Sequence, residues 1–327
     1  MKLASLPGRG RDGRLVVVSS DHMRCTPAPA VADTLQQALE RWDRAAPVLE
    51  RLSEQLERGE AAEAVDFDID KVLAPLPRCY QFLDGSAYLT HETLVRLARG
   101  SELPTGFHDA PLMYQGVSDS FLSPSAPIAV GDASWGWDLE SEIAIVVDDV
   151  PQGVDRDDAL AHIRLVVVLN DLSLRNVMVG ELSRGFGFVL SKPRSALSPL
   201  AVAPTALGVA WRDGKLFGRL VTRVNGIEIG APDPGRDMRF DYAELVAYAA
   251  KTRPLAAGTV IGGGVVENRD PAAGCSSLER KRAAESRATG SAATRYLAPG
   301  DRVEIEFFDH DGRTPFGRID QRVVAPD

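Results

Sequence analysis

Trp135-Gly-Trp-Asp138-Leu-Glu140-Ser-Glu142-Ile-Ala-Ile-Val-Val147 is an acidic stretch that runs straight into an unbroken apolar strand. In an extended chain alternate residues share a face. Asp138, Glu140 and Glu142 are therefore expected on one side, about 7 Å between successive Cα atoms. The Ile143–Val147 run lacks polar alternation, as in a strand covered on both faces. Carboxylates leading into such a strand are costly to bury unless something offsets their charge. A hard divalent cation does so, because oxygen ligands suit Mg²⁺ and Ca²⁺. The alternative is an acidic, solvated sheet edge.

Two further stretches bear on that choice. Leu165-Val-Val-Val-Leu-Asn170-Asp171 is a β-branched run ending in a carboxylate, followed by Ser173 and Arg175. Asp171 is placed either as a ligand or as a turn or cap residue. Gln81-Phe-Leu-Asp84-Gly-Ser-Ala-Tyr88-Leu-Thr-His91-Glu92 offers Asp84 and, seven residues on, His91 at the start of a short amphipathic helix. The second histidine of a zincin helix is missing, so a zinc protease is not indicated. His91 can instead act as a general base near neutral pH.

Outside these stretches the chain alternates short strand-like runs with turns. Leu15–Ser19, Leu165–Leu169, Leu220–Val224 and Val303–Phe308 read as strands; Asp213-Gly214, Asn225-Gly226 and Asp311-Gly312 read as hairpin turns. Thr34 to Arg58 has helical spacing of Leu35, Leu39, Trp42, Leu49, Leu52 and Leu56, and Pro47 is expected to kink or split it. Helices are also expected at Asp241–Lys251 and near His91–Arg99. Pro75-Leu76-Pro77 reads as a linker. The expectation is an α+β, mainly β chain, with a small leading domain over residues 1–77 and the main body over 78–327.

Bulk properties exclude several classes. With 46 acidic and 37 basic residues among 327, the net charge of -9 argues against nucleic acid as a partner. Three widely spaced cysteines suggest neither a disulfide framework nor a zinc knuckle. The polar opening MKLASLPGRGRDG lacks the apolar stretch of a signal peptide, and no run approaches the roughly 20 apolar residues of a membrane helix. A cytoplasmic protein with no membrane partner is expected. The glycines of Gly258–Gly264 lack both the Gly-Lys-Ser/Thr ending of a phosphate loop and the spacing of a dinucleotide fingerprint, and suit a tight turn beside a pocket. No Gly-x-Ser-x-Gly elbow is present.

Taken in chain order, these pieces resemble the fumarylacetoacetate hydrolase family. The resemblance covers Tyr80 to Val324. It rests on Asp84…His91, Arg99-Gly100, Asp138-Leu-Glu140-Ser-Glu142, Asn170-Asp171-Leu-Ser-Leu-Arg175, Ser191-Lys192-Pro193, Val224-Asn225-Gly226, Gly258–Val265 and Glu279. It implies a mixed β-roll body behind a small N-terminal domain, usually as a homodimer. It further implies a divalent cation, Mg²⁺ or Ca²⁺ with Mn²⁺ as an alternative, held by Asp84, Glu140, Glu142 and Asp171. His91 matches the catalytic base, Glu279 the acid that orients it, and Lys192 the lysine near metal and substrate. Arg99 and Tyr114 match substrate-contact positions, and Asp138 matches no family ligand. Ser86, Met178, Ala196 and Val265 stand where the family pattern has tyrosine, glutamine and two threonines, so the substrate pocket departs from that pattern. The implied reaction is hydrolysis of a C–C bond in a 1,3-diketo acid such as fumarylacetoacetate. Acylpyruvate hydrolysis, 2-oxo acid decarboxylation, isomerisation and a non-catalytic ligand-binding role are the alternatives.

Overall fold

A computed structural model describes residues 1–89, 106 and 108–326. The apolar runs become strands, as their β-branched composition favours. Among the described residues the larger sheet has eleven strands. Its order is Val65–Asp66, Arg24–Pro27, Arg14–Val18, Lys2–Leu6, Ala201–Val202, Ile163–Asn170, Ser141–Val147, Val260–Gly262, Phe82–Gly85 and Met113–Gly116, with Ala196–Leu197 also paired to Ile163–Asn170. Val260–Gly262 and Phe82–Gly85 pair in parallel and the other neighbours are antiparallel, so the sheet is mixed. A second sheet of five strands is built on Arg219–Val224, Arg302–Phe308 and Arg318–Val324. Among the described residues two two-stranded sheets complete the set, Trp137–Asp138 with Ser173–Leu174 and Trp211–Arg212 with Lys215–Leu216, and few helices accompany them, so the architecture is the expected α+β arrangement dominated by strands.

Both faces of the central strands are covered, as the missing alternation in Ile143–Val147 requires. One face carries Ile143, Ile145, Val166 and Val168, packed with the second sheet through Leu220, Val303, Ile305 and Phe307. The other carries Ala144, Val146, Leu165, Val167 and Leu169, packed with Leu35, Leu39, Trp42 and Leu49 of the N-terminal helices.

Two local expectations are corrected. The N-terminal helical stretch divides into Leu35–Leu39 and Trp42–Glu57 at Arg41, whose φ and ψ are -137° and 35°, and not at Pro47. Pro47 sits early in the second helix and removes a single backbone bond there. Leu76, read as part of a linker, is buried in the core, and the Pro75 carbonyl accepts from Ser5 Oγ at 2.7 Å. Asp213-Gly214 and Asn225-Gly226 are two-residue turns with positive φ at both positions, whereas Asp311-Gly312 lies in a longer loop. The Tyr242–Ala249 helix begins at Asp241 with a reciprocal capping box to Glu244. The helix expected near His91–Arg99 lies outside the described residues. No helix among the described residues is long and apolar enough to cross a membrane.

Candidate functional site

Sheet register assembles the site. Phe82–Gly85, Val260–Gly262 and Ser141–Val147 are neighbours, with Asp84 opposite Gly262 and Gly262 opposite Ala144. On the next strand Leu169 faces Glu142, and Asp171 follows that strand's last residue, Asn170. By alternation Asp84, Glu142, Gly262 and Asp171 share one face, and Tyr114 lies opposite Asp84 on the far side. The row therefore has side chains on either side of a glycine. A Cβ at Gly262 would lie 2.2 Å from Asp84 Oδ1 and 3.1 Å from Glu142 Oε2. The missing side chain leaves room for two carboxylates to converge.

Asp84, Glu142 and Asp171 bring one carboxylate oxygen each within 4.8 Å of one another, and all three are buried. The Gly264 amide donates to both Asp84 Oδ1 and Glu142 Oε2 at 3.1 Å. Glu142 Oε1 is buried without a hydrogen-bond partner among the described residues. Burial, then the charge of Asp171, pushes the Asp84 carboxyl up to about 7. Burial, then the charges of Asp84 and Asp171, pushes Glu142 well above its ordinary range.

Asp171 is engaged through both of its oxygens. Its Oδ2 accepts from Lys192 Nζ at 2.5 Å and from the Tyr114 hydroxyl, and its Oδ1 accepts from Ser195 Oγ at 2.5 Å. Lys192 also reaches Glu140 Oε2 at 2.6 Å. Burial alone would lower the Lys192 pKa, but the charges of Asp171 and Glu140 outweigh it and hold it above its ordinary value. Burial, then Asp171, likewise keeps the Tyr114 phenol protonated. Lys192 Nζ lies 5.0 Å from the centre of the Tyr114 ring, whose edge meets Phe188 with centroids 5.3 Å apart.

Glu140 lies outside the three-residue carboxylate group. Its oxygens accept from Arg175 at 2.6 Å, from Lys192 at 2.6 Å and from Ser173 at 3.1 Å. Asp138 departs further from the expected shared face. The acidic stretch is not one strand: Trp137–Asp138 pairs with Ser173–Leu174, and the regular strand resumes at Ser141. The interruption at Leu139 turns Asp138 toward Arg175 and the first amides of the Leu278–Thr289 helix. Glu279, on that helix, accepts from the Tyr296 hydroxyl at 2.5 Å. His91 and Arg99 lie outside the described residues.

The donor set fits a hard divalent cation. Five buried carboxyls (Asp84, Asp138, Glu140, Glu142 and Asp171) meet two buried cations, Lys192 and Arg175. Three negative charges stay unbalanced if all five ionise. Together with the unpartnered Glu142 oxygen, this surplus calls for positive charge or protons at an all-oxygen site. The sequence alone did not single out Arg175, Ser195 or the Gly264 amide as partners of these carboxylates. Arg175 follows Asp171 by four residues and was visible as a cation beside an acid; nothing local marks Ser195.

Comparison with known proteins gives concordant results. A family profile described as fumarylacetoacetase N-terminal domain 2 matches residues 1–78. A second, described as fumarylacetoacetate (FAA) hydrolase C-terminal, matches residues 81–324. The chain is 27% identical over 150 residues to oxaloacetate tautomerase fahd2, mitochondrial, of Xenopus laevis, covering 46% of each protein. The chain thus aligns with less than half the length of that curated relative. Among solved structures, a fumarylacetoacetate hydrolase from Exiguobacterium antarcticum superposes over 100% of both chains with TM-score 0.64 and 18% identity. Fumarylpyruvate hydrolase from Pseudomonas aeruginosa in complex with Mn²⁺ and pyruvate superposes over 79% of this chain and 93% of that one, with TM-score 0.56 and 15% identity. At these identities the two structures establish the shared fold.

Proposed function

The chain belongs to the fumarylacetoacetate hydrolase family, and from that premise we propose that it is a divalent-metal-dependent hydrolase of a C–C bond in a diketo acid. The observation that carries the reading is the buried convergence of Asp84, Glu142 and Asp171. It is supported by the Exiguobacterium and Pseudomonas structures, both described as hydrolases, the second holding Mn²⁺ with a 2-oxo acid.

In this reading Asp84, Glu142 and Asp171 hold a Mg²⁺, Mn²⁺ or Ca²⁺ ion, with Glu140 beside them. Such an ion, when bound, supplies Lewis-acid polarisation of a substrate carbonyl. The chain's own groups do the remaining work. His91 takes a proton from the attacking water, and Glu279 accepts the imidazole's other N–H and favours the cation that results. Lys192, kept protonated by Asp171 and Glu140, places a cation where negative charge develops on the departing fragment; one such donor is worth about 3–4 kcal/mol. Tyr114 fixes Asp171 by its hydroxyl and walls the substrate side. Arg99 holds a distal carboxylate with its fork-shaped donor set. The cleaved bond leaves one carboxylic acid and one ketone, with the base returning its proton to the new carbanion carbon.

The Xenopus relative's name favours a second reading, keto–enol tautomerisation of a 2-oxo diacid without bond cleavage. One panel separates the two: Mn²⁺-loaded protein with fumarylacetoacetate, two acylpyruvates and oxaloacetate, followed by ultraviolet absorbance and product chromatography. Cleavage products from a diketo acid support the hydrolase. Enol loss with oxaloacetate alone, and no cleavage, supports the tautomerase. No turnover of any member would sink the catalytic reading.

A further inference from the structure

We propose that Asp138 is a positioning residue: through Arg175 and the first amides of the Leu278–Thr289 helix it holds Glu279 in register with the carboxylate centre. The proposal rests on the reading above, in which Glu279 orients the base. Asp138 is wholly buried and Arg175 is 6% exposed. Asp138 accepts from the Leu278 amide at 2.8 Å, the Glu279 amide at 3.0 Å and Arg175 Nε at 2.8 Å. The same guanidinium donates to Glu140 at 2.6 Å. The chain beside it is tied as well, since the Ser141 amide donates to the Ser276 carbonyl at 2.8 Å.

Two facts argue against a purely stabilising cap. The helix already has one: Ser277 accepts from the Arg280 amide at 3.2 Å. Its packing is also thin, because Leu278 is its one buried residue. A helix so weakly held by apolar contact depends on polar anchors: Asp138 at its first amides, Glu267 on Arg280, and Glu285 on the Ala293 and Thr294 amides. A fully buried ion pair costs desolvation and is weak evidence for stability alone, whereas it fixes register well. The Tyr296 hydroxyl, 2.5 Å from Glu279 Oε2, anchors the carboxylate end. Glu279 is thereby held at its backbone by Asp138 and at its side chain by Tyr296.

The test compares wild type with Asp138→Asn, both loaded with Mn²⁺, in three measurements. These are steady-state kinetics on the best substrate of the panel, Mn²⁺ titration, and amide hydrogen exchange resolved at Leu278 and Glu279. The proposal expects kcat to fall about 10- to 100-fold, as for a misplaced catalytic group, with KM and Mn²⁺ affinity within about threefold of wild type. It also expects faster exchange confined to those two amides. Unchanged kcat, unchanged exchange, or a loss of Mn²⁺ affinity as large as the loss of kcat overturns it. Should Asp138→Asn not fold, Arg175→Lys, which keeps the charge and loses the fork spanning Asp138 and Glu140, is judged by the same criteria. A wild-type protein inactive on the whole panel sinks the hydrolase reading, while the exchange measurement still decides the clamp.

Discussion

Gly262 is where one missing side chain does most for the site. Its Cβ would lie 2.2 Å from Asp84 Oδ1, so Gly262→Ala should leave the fold intact and weaken Mn²⁺ binding by at least about tenfold, measured by calorimetric titration. Glu142 gives a prediction of opposite sign for stability and binding. Its buried carboxylate, with Oε1 lacking a hydrogen-bond partner among the described residues, is a liability without a cation. Glu142→Gln should therefore raise the melting temperature of chelator-treated protein, by about 1–3 kcal/mol of stability, while abolishing the gain that metal gives to wild type. Differential scanning calorimetry with and without Mn²⁺ reads both. Asp84 adds a pH dependence. Its folded pKa of about 7 lies above the ordinary 3.8. Its contribution is therefore fully present below about 4 and is lost as pH rises through 7 in metal-free protein. Saturating Mn²⁺ should remove that loss, and Mn²⁺ affinity should climb over the same interval as protons cease to compete. Affinity that is flat from pH 5 to about 7.5 would contradict this account. Glu142 and Asp171 were legible as candidate ligands because each stands at the end of an apolar run, whereas Asp84 was marked by the family resemblance. Asp138 was visible but not interpretable, since its partners Arg175 and Leu278 are 37 and 140 residues away.

At the scale of elements, hydrophobic patterning located the long strands because burial on one or both faces dictates it. It did not show the interruption at Leu139, where the stretch leaves one strand partner for another. That change depends on pairing with Ser173–Leu174 and Ser277, which are remote in sequence. Turn chemistry was readable where Asp-Gly and Asn-Gly need positive φ at adjacent positions, and less so at Asp311-Gly312, where loop length decides. The Asp241 cap offers an element-scale test. Its carboxylate accepts from the Glu244 amide at 2.9 Å and from Arg156 at 2.7 Å, and the Glu244 carboxylate accepts from the Asp241 amide. Asp241→Ala should cost about 1–2 kcal/mol in urea unfolding without altering Mn²⁺ affinity.

At the scale of the molecule, the N-terminal strands extend the same sheet that carries the candidate ligands Asp84 and Glu142. Lys2 and Leu3 pair with Val202 and Ala201, and the N-terminal helices cover the face shared by Ala144, Val146 and Val167. Removing residues 1–77 would expose that face and a free sheet edge. The truncated protein is expected to be insoluble, and the whole chain to melt in one cooperative transition. Sequence pattern marked where the composition changes near Pro75-Leu76-Pro77; it could not show that Leu76 is packed inside, because its cluster is built from residues remote in sequence, such as Ala144, Val167 and Val260. The proposed function depends on those pieces closing around one ion. Calorimetric titration of chelator-treated wild-type protein with Mn²⁺, alongside Asp171→Asn, tests this most directly. One ion per chain is expected for wild type and none for the variant. Wild-type protein that takes up no ion, or a variant that binds as well as wild type, would contradict it.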